Sequence, residues 1–148
     1  MIATKKMNKI IEYPNDILRL KTKDATSHDD VLSIYKNLNE VMIENNGLGI
    51  AAPQIGVSLS MFIVSEYFKS DYSIFVNPKI IWKSQKNFYK NEGCLSFPGI
   101  LNKKIRSAEI IVNAFDINFK NFELYASGLM ARCILHEIDH LNGILLID

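Results

Sequence analysis

The chain has 148 residues, the size of one globular domain, and a chain of that length buries roughly 68–70% of its unfolded surface, so a core forms without disulfide staples. Apolar residues at 48% and charged residues at 22% exclude a mostly disordered polymer. With 17 basic against 16 acidic side chains the net charge is +1, which excludes a strongly basic nucleic-acid footprint and an acidic tail.

The opening residues MIATKKMNKIIEYPND carry lysines but no continuous apolar run and no small-residue cleavage site, so they do not read as a signal peptide. Residues Gly47 to Ser65 are uncharged, yet Gly47, Gly49, Pro53, Gln54 and Gly56 make that stretch a poor membrane helix. A cytoplasmic protein without membrane contact is expected. The two cysteines, Cys94 and Cys133, do not form a disulfide framework in such a domain; each must be a buried small hydrophobe, a reactive thiol or a metal ligand.

No repeat or linker interrupts the chain, and residues 1–148 are expected to form one domain. Pro14-Asn15-Asp16 supplies a turn within Ile10 to Leu20. A helix comes next, capped by Ser27 or Asp29, with Val31, Ile34, Tyr35, Leu38, Val41 and Met42 on one face and Asn45-Asn46-Gly47 ending it. From Gly47 to about Phe122 the pattern changes to short extended runs, with strands expected at Leu59 to Val64, Ile74 to Val76, Lys79 to Trp82 and Ile110 to Phe115. Phe115 to Tyr125 reads as a hairpin turning over Asp116 to Asn121. A last helix runs from a Ser127 cap to Leu141, Asn142-Gly143 stops it, and Ile144 to Ile147 is a short apolar tail. Helix, several strands, helix predicts an α+β fold: mostly antiparallel sheets around a C-terminal helix, with one further N-terminal helix.

The strongest chemical signal is His136-Glu137-Ile138-Asp139-His140. Residues four apart share a helix face, so both imidazoles can reach one ion while Glu137 stands beside it without ligating. That pattern suits metal-assisted hydrolysis, with the carboxylate moving a proton. A third ligand is needed. Cys133 lies one turn before His136 but seven residues from His140, about 10 Å of rise, too far to share a tetrahedral ion, and reads as a pocket wall. Cys94 sits in Asn91-Glu92-Gly93-Cys94-Leu95-Ser96, where a loop or strand can face the helix. The cluster Gly47-Leu48-Gly49-Ile50-Ala51-Ala52-Pro53-Gln54 begins like a dinucleotide fingerprint, but a helix precedes it and Pro53 would break the helix that such a fingerprint opens. It makes better sense as backbone packed against a substrate, with Gln54 donating a hydrogen bond.

GLGIAAPQ (47–54), EGCLS (92–96) and HEIDH (136–140), in that order, resemble the three signature motifs of peptide deformylases. The likeness extends from the Pro14-containing start to Gly143-Ile144. It implies removal of the formyl group from N-formylmethionine on newly made polypeptides, with release of formate. It further implies that Cys94, His136 and His140 bind a divalent metal, Fe²⁺ in the cell, with Zn²⁺, Ni²⁺ or Co²⁺ able to substitute. By the same resemblance Glu137 is the general base and then the acid, and Gln54 and the Leu95 backbone N–H serve the oxyanion. Gly49 and Gly93 offer backbone to the extended peptide, and Leu48, Glu92, Leu129, Cys133 and the His136 ring line the methionine pocket.

Elementary chemistry runs parallel to the resemblance. A formyl carbon bears only hydrogen, so a small dry slot admits it and rejects bulkier acyl groups. Donors fixed at the developing oxyanion contribute roughly 3–4 kcal/mol each, and Glu137 must protonate the departing amine. The chain stops at Asp148, where typical bacterial members continue into a further helix linked with ribosome docking; docking by that route is in doubt, while ribosome association itself stays open. The short length and the abundance of Ile, Lys and Asn fit a phage-encoded or minimal form from an AT-rich genome. Phe97 and Gly99-Ile100-Leu101 depart from the expected rim. Two other classes stay open on the residues alone: a peptidase with the same paired histidines, which would cut internal bonds and keep its metal without Cys94, and a metal-stabilised binding module indifferent to loss of Glu137.

Overall fold

The computed structural model describes residues 10–148, and the reading of residues 1–9 lies outside it. Helix α1 spans Val31–Glu44 and buries Val31, Leu38, Val41 and Met42. Its cap is Asp30, whose carboxylate accepts the Ser33 N–H at 3.1 Å. Ser27 and Asp29 lie too early to reach that third helical amide; Asp29 instead binds the Thr26 N–H in the preceding turn at 2.8 Å. Asn46, at φ 53°, ends the helix as expected.

Seven strands come after it: β1 Gly49–Ala51, β2 Met61–Val64, β3 Ile74–Lys83, β4 Asn87–Gly93, β5 Leu101–Ser107, β6 Glu109–Phe115 and β7 Asn121–Ser127. Helix α2, Gly128–Leu141, comes last and carries His136-Glu137-Ile138-Asp139-His140. Five strands form one antiparallel sheet in the order β1-β2-β3-β6-β7, while among the described residues β4 and β5 pair only with each other. The α+β expectation therefore holds, and so does the β6–β7 hairpin.

Two strand expectations change. Ile74 to Val76 and Lys79 to Trp82 belong to one strand, β3, because its pairing with β6 resumes at Lys79↔Asn113 after a register shift past Val76. Asn77 takes up that irregularity at φ 50° and is pinned there, since its side chain accepts the Ala25 N–H at 2.8 Å and donates to the Ala25 carbonyl at 2.9 Å. The β4–β5 hairpin has no apolar alternation to betray it. Along β4 every residue but Glu92 is exposed.

The sheet is covered by helices that supply its core. Ala131, Ile134, Leu135 and Leu141 of α2 pack with Phe62, Phe75, Ile110 and Val112. On β1 and β2, Leu38, Val41 and Met42 of α1 meet Ile50, Met61 and Ile63. A third cluster joins Leu18, Phe97, Leu145 and Leu146, with Cys94 half-buried against it. The C-terminal tail thus props the loop that presents the thiol. Among the described residues no helix is long and apolar enough to cross a membrane.

Helix α2 stops by a paired backbone closure: the Gly143 N–H donates to the His140 carbonyl at 3.2 Å, and the Ile144 N–H to the Asp139 carbonyl at 2.9 Å. Gly143 adopts φ 71°, and a Cβ there would fall against the backbone of Arg19, 2.8 Å from its carbonyl carbon. Gly56 adopts φ 86° with open space around it. Both glycines relieve left-handed strain, but only Gly143 also leaves room for backbone. Denaturant unfolding is therefore expected to show Gly56→Ala costing about 1 kcal/mol and Gly143→Ala more than about 2 kcal/mol; equal losses would contradict the packing assigned to Gly143.

Candidate active site

Helical spacing puts His136 and His140 one above the other on α2, their ring centroids 5.0 Å apart. Cys94 reaches them from the loop that leaves β4, which places its Sγ 3.2 Å from His140 Nε2. The thiol and one nitrogen from each ring all lie within 4.8 Å of one another. Cys133 is outside this group, as its distance along the helix requires.

The two rings differ in what stands behind them: His140 Nδ1 is buried with no hydrogen-bond partner among the described residues, whereas His136 has one. His136 Nδ1 faces Glu92 Oε1 at 3.1 Å, which turns the other ring nitrogen toward the sulfur. His140 is buried, and burial pushes it down to about 3, so it stays neutral with a lone pair to give. Burial alone would also lower His136, but its bonds to Cys94 and Glu92 outweigh that and hold it up at about 10. The surroundings of His136 favour positive charge.

Glu92 is the centre of a buried ion cluster. Burial by itself would raise its carboxyl, but the Arg106 and His136 hydrogen bonds hold it well below the usual carboxylate range. Arg106 grips it with two nitrogens, both at 2.9 Å, and donates its third to Asp139 at 2.6 Å. Arg132 adds a 2.6 Å bond to the same carboxylate. Three carboxyl groups, Glu92, Glu137 and Asp139, face two guanidiniums, Arg106 and Arg132, beside the three candidate ligand atoms, so acidic groups outnumber arginines where a cation would sit. Donor chemistry agrees: one sulfur and two imidazoles suit a borderline divalent ion at bond lengths of about 2.0–2.3 Å. The residues fit a metal.

Glu137 stands beside the three ligands, wholly buried, with Oε1 lacking any hydrogen-bond partner among the described residues. Burial raises its carboxyl to about 7, where a group can both take and return a proton near neutral pH. Gln54 lies across the site. Its Oε1 accepts the Ala51 N–H at 2.9 Å, and its Nε2 donates to Ser96 Oγ at 3.1 Å while lying 3.8 Å from Cys94 Sγ. Ser96 in turn donates to the Ile11 carbonyl at 2.7 Å. That chain fixes which end of the amide is the donor.

Leu48, Gly49, Gln54, Glu92, Gly93, Cys94, Leu95, Leu129, Cys133, His136 and Glu137 all line one cleft of about 790 Å³. His140 lies behind it. Gly49 has a steric reason to be glycine, because a Cβ there would come within 2.7 Å of Cys133 Sγ and 2.9 Å of Glu137 Oε2. Burial pushes the Cys133 thiol well above its ordinary value, so it remains a neutral apolar wall.

Asp139 and Ser96 stand inside the quoted motifs without a role being read for them, and Arg106 leaves no signal. Arg132 leaves a trace: a charged residue inside the apolar run Ala131 to Leu135, where an unpaired guanidinium would be costly to bury.

A family model described as polypeptide deformylase matches residues 7–148. The peptide deformylase of Borreliella burgdorferi is 42% identical over 140 residues, covering 94% of this chain and 85% of the relative. The crystal structure of peptide deformylase from Thermotoga maritima superposes with a TM-score of 0.88 at 33% identity, covering 96% of each chain. A Met-Ala-Ser-bound class I type b peptide deformylase from Acinetobacter baumannii gives a TM-score of 0.85 at 30% identity, covering 93% of this chain and 94% of that one. With its sheets, its terminal helix and its matched length, this chain belongs to the peptide deformylase family, metal-dependent hydrolases that remove the N-formyl group from newly made polypeptides.

Proposed function

We propose that Cys94, His136 and His140 hold the divalent metal, that Glu137 carries the proton, and that Gln54 and the Leu95 backbone N–H hold the oxyanion, within a single catalytic domain spanning residues 1–148. The observation that carries this reading is the meeting of one sulfur and two imidazole nitrogens within 4.8 Å beside a buried carboxylate oxygen with no partner. Fe²⁺ is the proposed ion in the cell, with Zn²⁺, Ni²⁺ or Co²⁺ able to replace it. Held there, the ion would supply Lewis acidity, polarising a carbonyl and lowering the pKa of water so that it gives up a proton near neutral pH.

The chain's own residues do the rest. Glu137 accepts the proton of the attacking water and returns it to the departing amine, since an amide nitrogen leaves only when protonated. Gln54 meets the charge that develops on the formyl oxygen, and its amide needs no reorientation because Ala51 and Ser96 already hold both ends. Strand β1 is an edge of the five-stranded sheet, so an extended peptide can add alongside Gly49 to Ala51, with Gly93 across the cleft. Leu48, Leu129 and Cys133 offer an apolar wall to the first side chain, with Glu92 and the His136 ring behind it. The Met-Ala-Ser bound by the Acinetobacter baumannii relative supports methionine in that place. Formylated nascent chains are the partner, met in the cytoplasm.

Incubating the metal-loaded chain with a formyl-Met peptide and measuring formate tests the reading directly. Turnover is expected to vanish on chelation and to return when Fe²⁺, Ni²⁺ or Co²⁺ is restored; no formate with any of them would remove it. Glu137→Ala is expected to keep one bound metal while losing about 10²–10⁴-fold in kcat, and loss of the metal instead would make Glu137 a ligand. Gln54→Ala is expected to lower kcat about 10²–10³-fold with KM little changed. A change confined to KM would move Gln54 from the reacting centre to substrate binding.

A further inference from the structure

Cys94 and the two histidines belong to parts of the fold that share no sheet. The thiol comes directly after β4, and among the described residues β4 pairs only with β5. A two-stranded hairpin is marginally stable alone, so its position depends on what ties it to its neighbours. His136 meets β4 at Glu92 and Asp139 meets β5 at Arg106, but the α2 side chain that bonds the backbone of both strands is Arg132. It is buried, one helical turn before His136, and its guanidinium spans both strands. Nη2 donates to the Phe88 carbonyl of β4 at 2.7 Å, while Nη1 donates to the Lys104 carbonyl of β5 at 3.1 Å and to Glu92 Oε2 at 2.6 Å. Arg106 runs the other way, from β5 to Asp139 on α2.

We infer that Arg132 is a positioning residue for the metal site. It fastens the β4–β5 hairpin to α2 and thereby sets both the Glu92–His136 contact and the distance from Cys94 to the helix. Its own groups touch neither the thiol nor the imidazoles. Its effect passes through two routes. The Phe88 carbonyl lies on the strand that leads into Cys94, and the Glu92 carboxylate orients the His136 ring. The planar fork matters because three acceptors on two strands need donors at fixed angles, which a single ammonium does not supply. Without Arg132, one oxygen of Glu92 loses its shortest partner and two strand carbonyls face a void, so the hairpin keeps its Arg106–Asp139 and Glu92–His136 links to α2 but loses the fork that fixes both strands at once.

The inference rests on the metal reading given above, and the test separates the two. Native chain, Arg132→Met and Arg132→Lys are prepared without metal and titrated with Co²⁺. Three quantities are read: the Co²⁺ dissociation constant, the thiolate-to-cobalt charge-transfer absorption, and amide hydrogen exchange over residues 87–107. Arg132→Met is expected to weaken Co²⁺ binding by about 10–100-fold, to diminish or shift the thiolate absorption, and to speed exchange in the hairpin, with kcat falling more than KM rises. Arg132→Lys is expected to recover part of the affinity, because an ammonium reaches Glu92 but cannot bridge both strands. It also serves as the test if Arg132→Met does not fold. Folded variants that bind Co²⁺ with native affinity and native thiolate absorption would overturn the proposal, even if they unfold at lower temperature. Failure of the native chain to bind Co²⁺ with thiolate absorption would remove the metal site itself.

Discussion

A thiol carried by a separate two-stranded hairpin must meet two imidazoles fixed on a helix, and the remainder of the molecule is arranged around that meeting. Helix geometry makes the histidine pair almost without cost, since residues four apart share a face. Nothing local makes the third donor. Cys94 arrives because Phe97 packs with Leu18, Leu145 and Leu146 on one side of its loop, and because the hairpin before it is tied to α2 on the other. The terminal segment beyond α2 therefore has structural work in the site. It leaves the Gly143 closure, returns under the thiol's loop and buries two leucines there.

The electrostatics derive from the same arrangement. Three carboxyl groups, Glu92, Glu137 and Asp139, gather behind the rings, and two arginines face them. A buried cluster of this kind is poor as a source of stability, because desolvation offsets most of the attraction. Its value lies in fixed geometry and in a field that favours positive charge. The bonds of His136 to Cys94 and Glu92 hold its ring toward the protonated form against burial. Burial raises the Glu137 carboxyl to about 7, and Gly49 leaves open the space beside it that a Cβ would fill.

Much of this is legible in the sequence for physical reasons. The paired histidines, Glu137 and the helix that carries them follow from spacing alone, and the α+β order follows from the change of apolar period after Gly47. The Asp30 cap escapes by one residue, because three candidate cap residues stand nearly side by side and only the position of the third amide selects among them. The β4–β5 hairpin escapes because its outward face is exposed and its inward face carries Glu92 and Arg106 instead of aliphatic side chains. Arg106, Arg132 and Ser96 lie out of reach for a related reason. Their partners stand between 14 and 85 residues away, and no periodicity encodes a contact of that span.

The metal centre is tested most directly by X-ray absorption at the metal edge of the Co²⁺- or Zn²⁺-loaded chain. One sulfur neighbour is expected at about 2.3 Å and imidazole nitrogens at about 2.0–2.1 Å, with the sulfur signal lost in Cys94→Ala and kept in Cys133→Ala. A shell built only of nitrogen and oxygen, or a sulfur that survives removal of Cys94, would contradict the site.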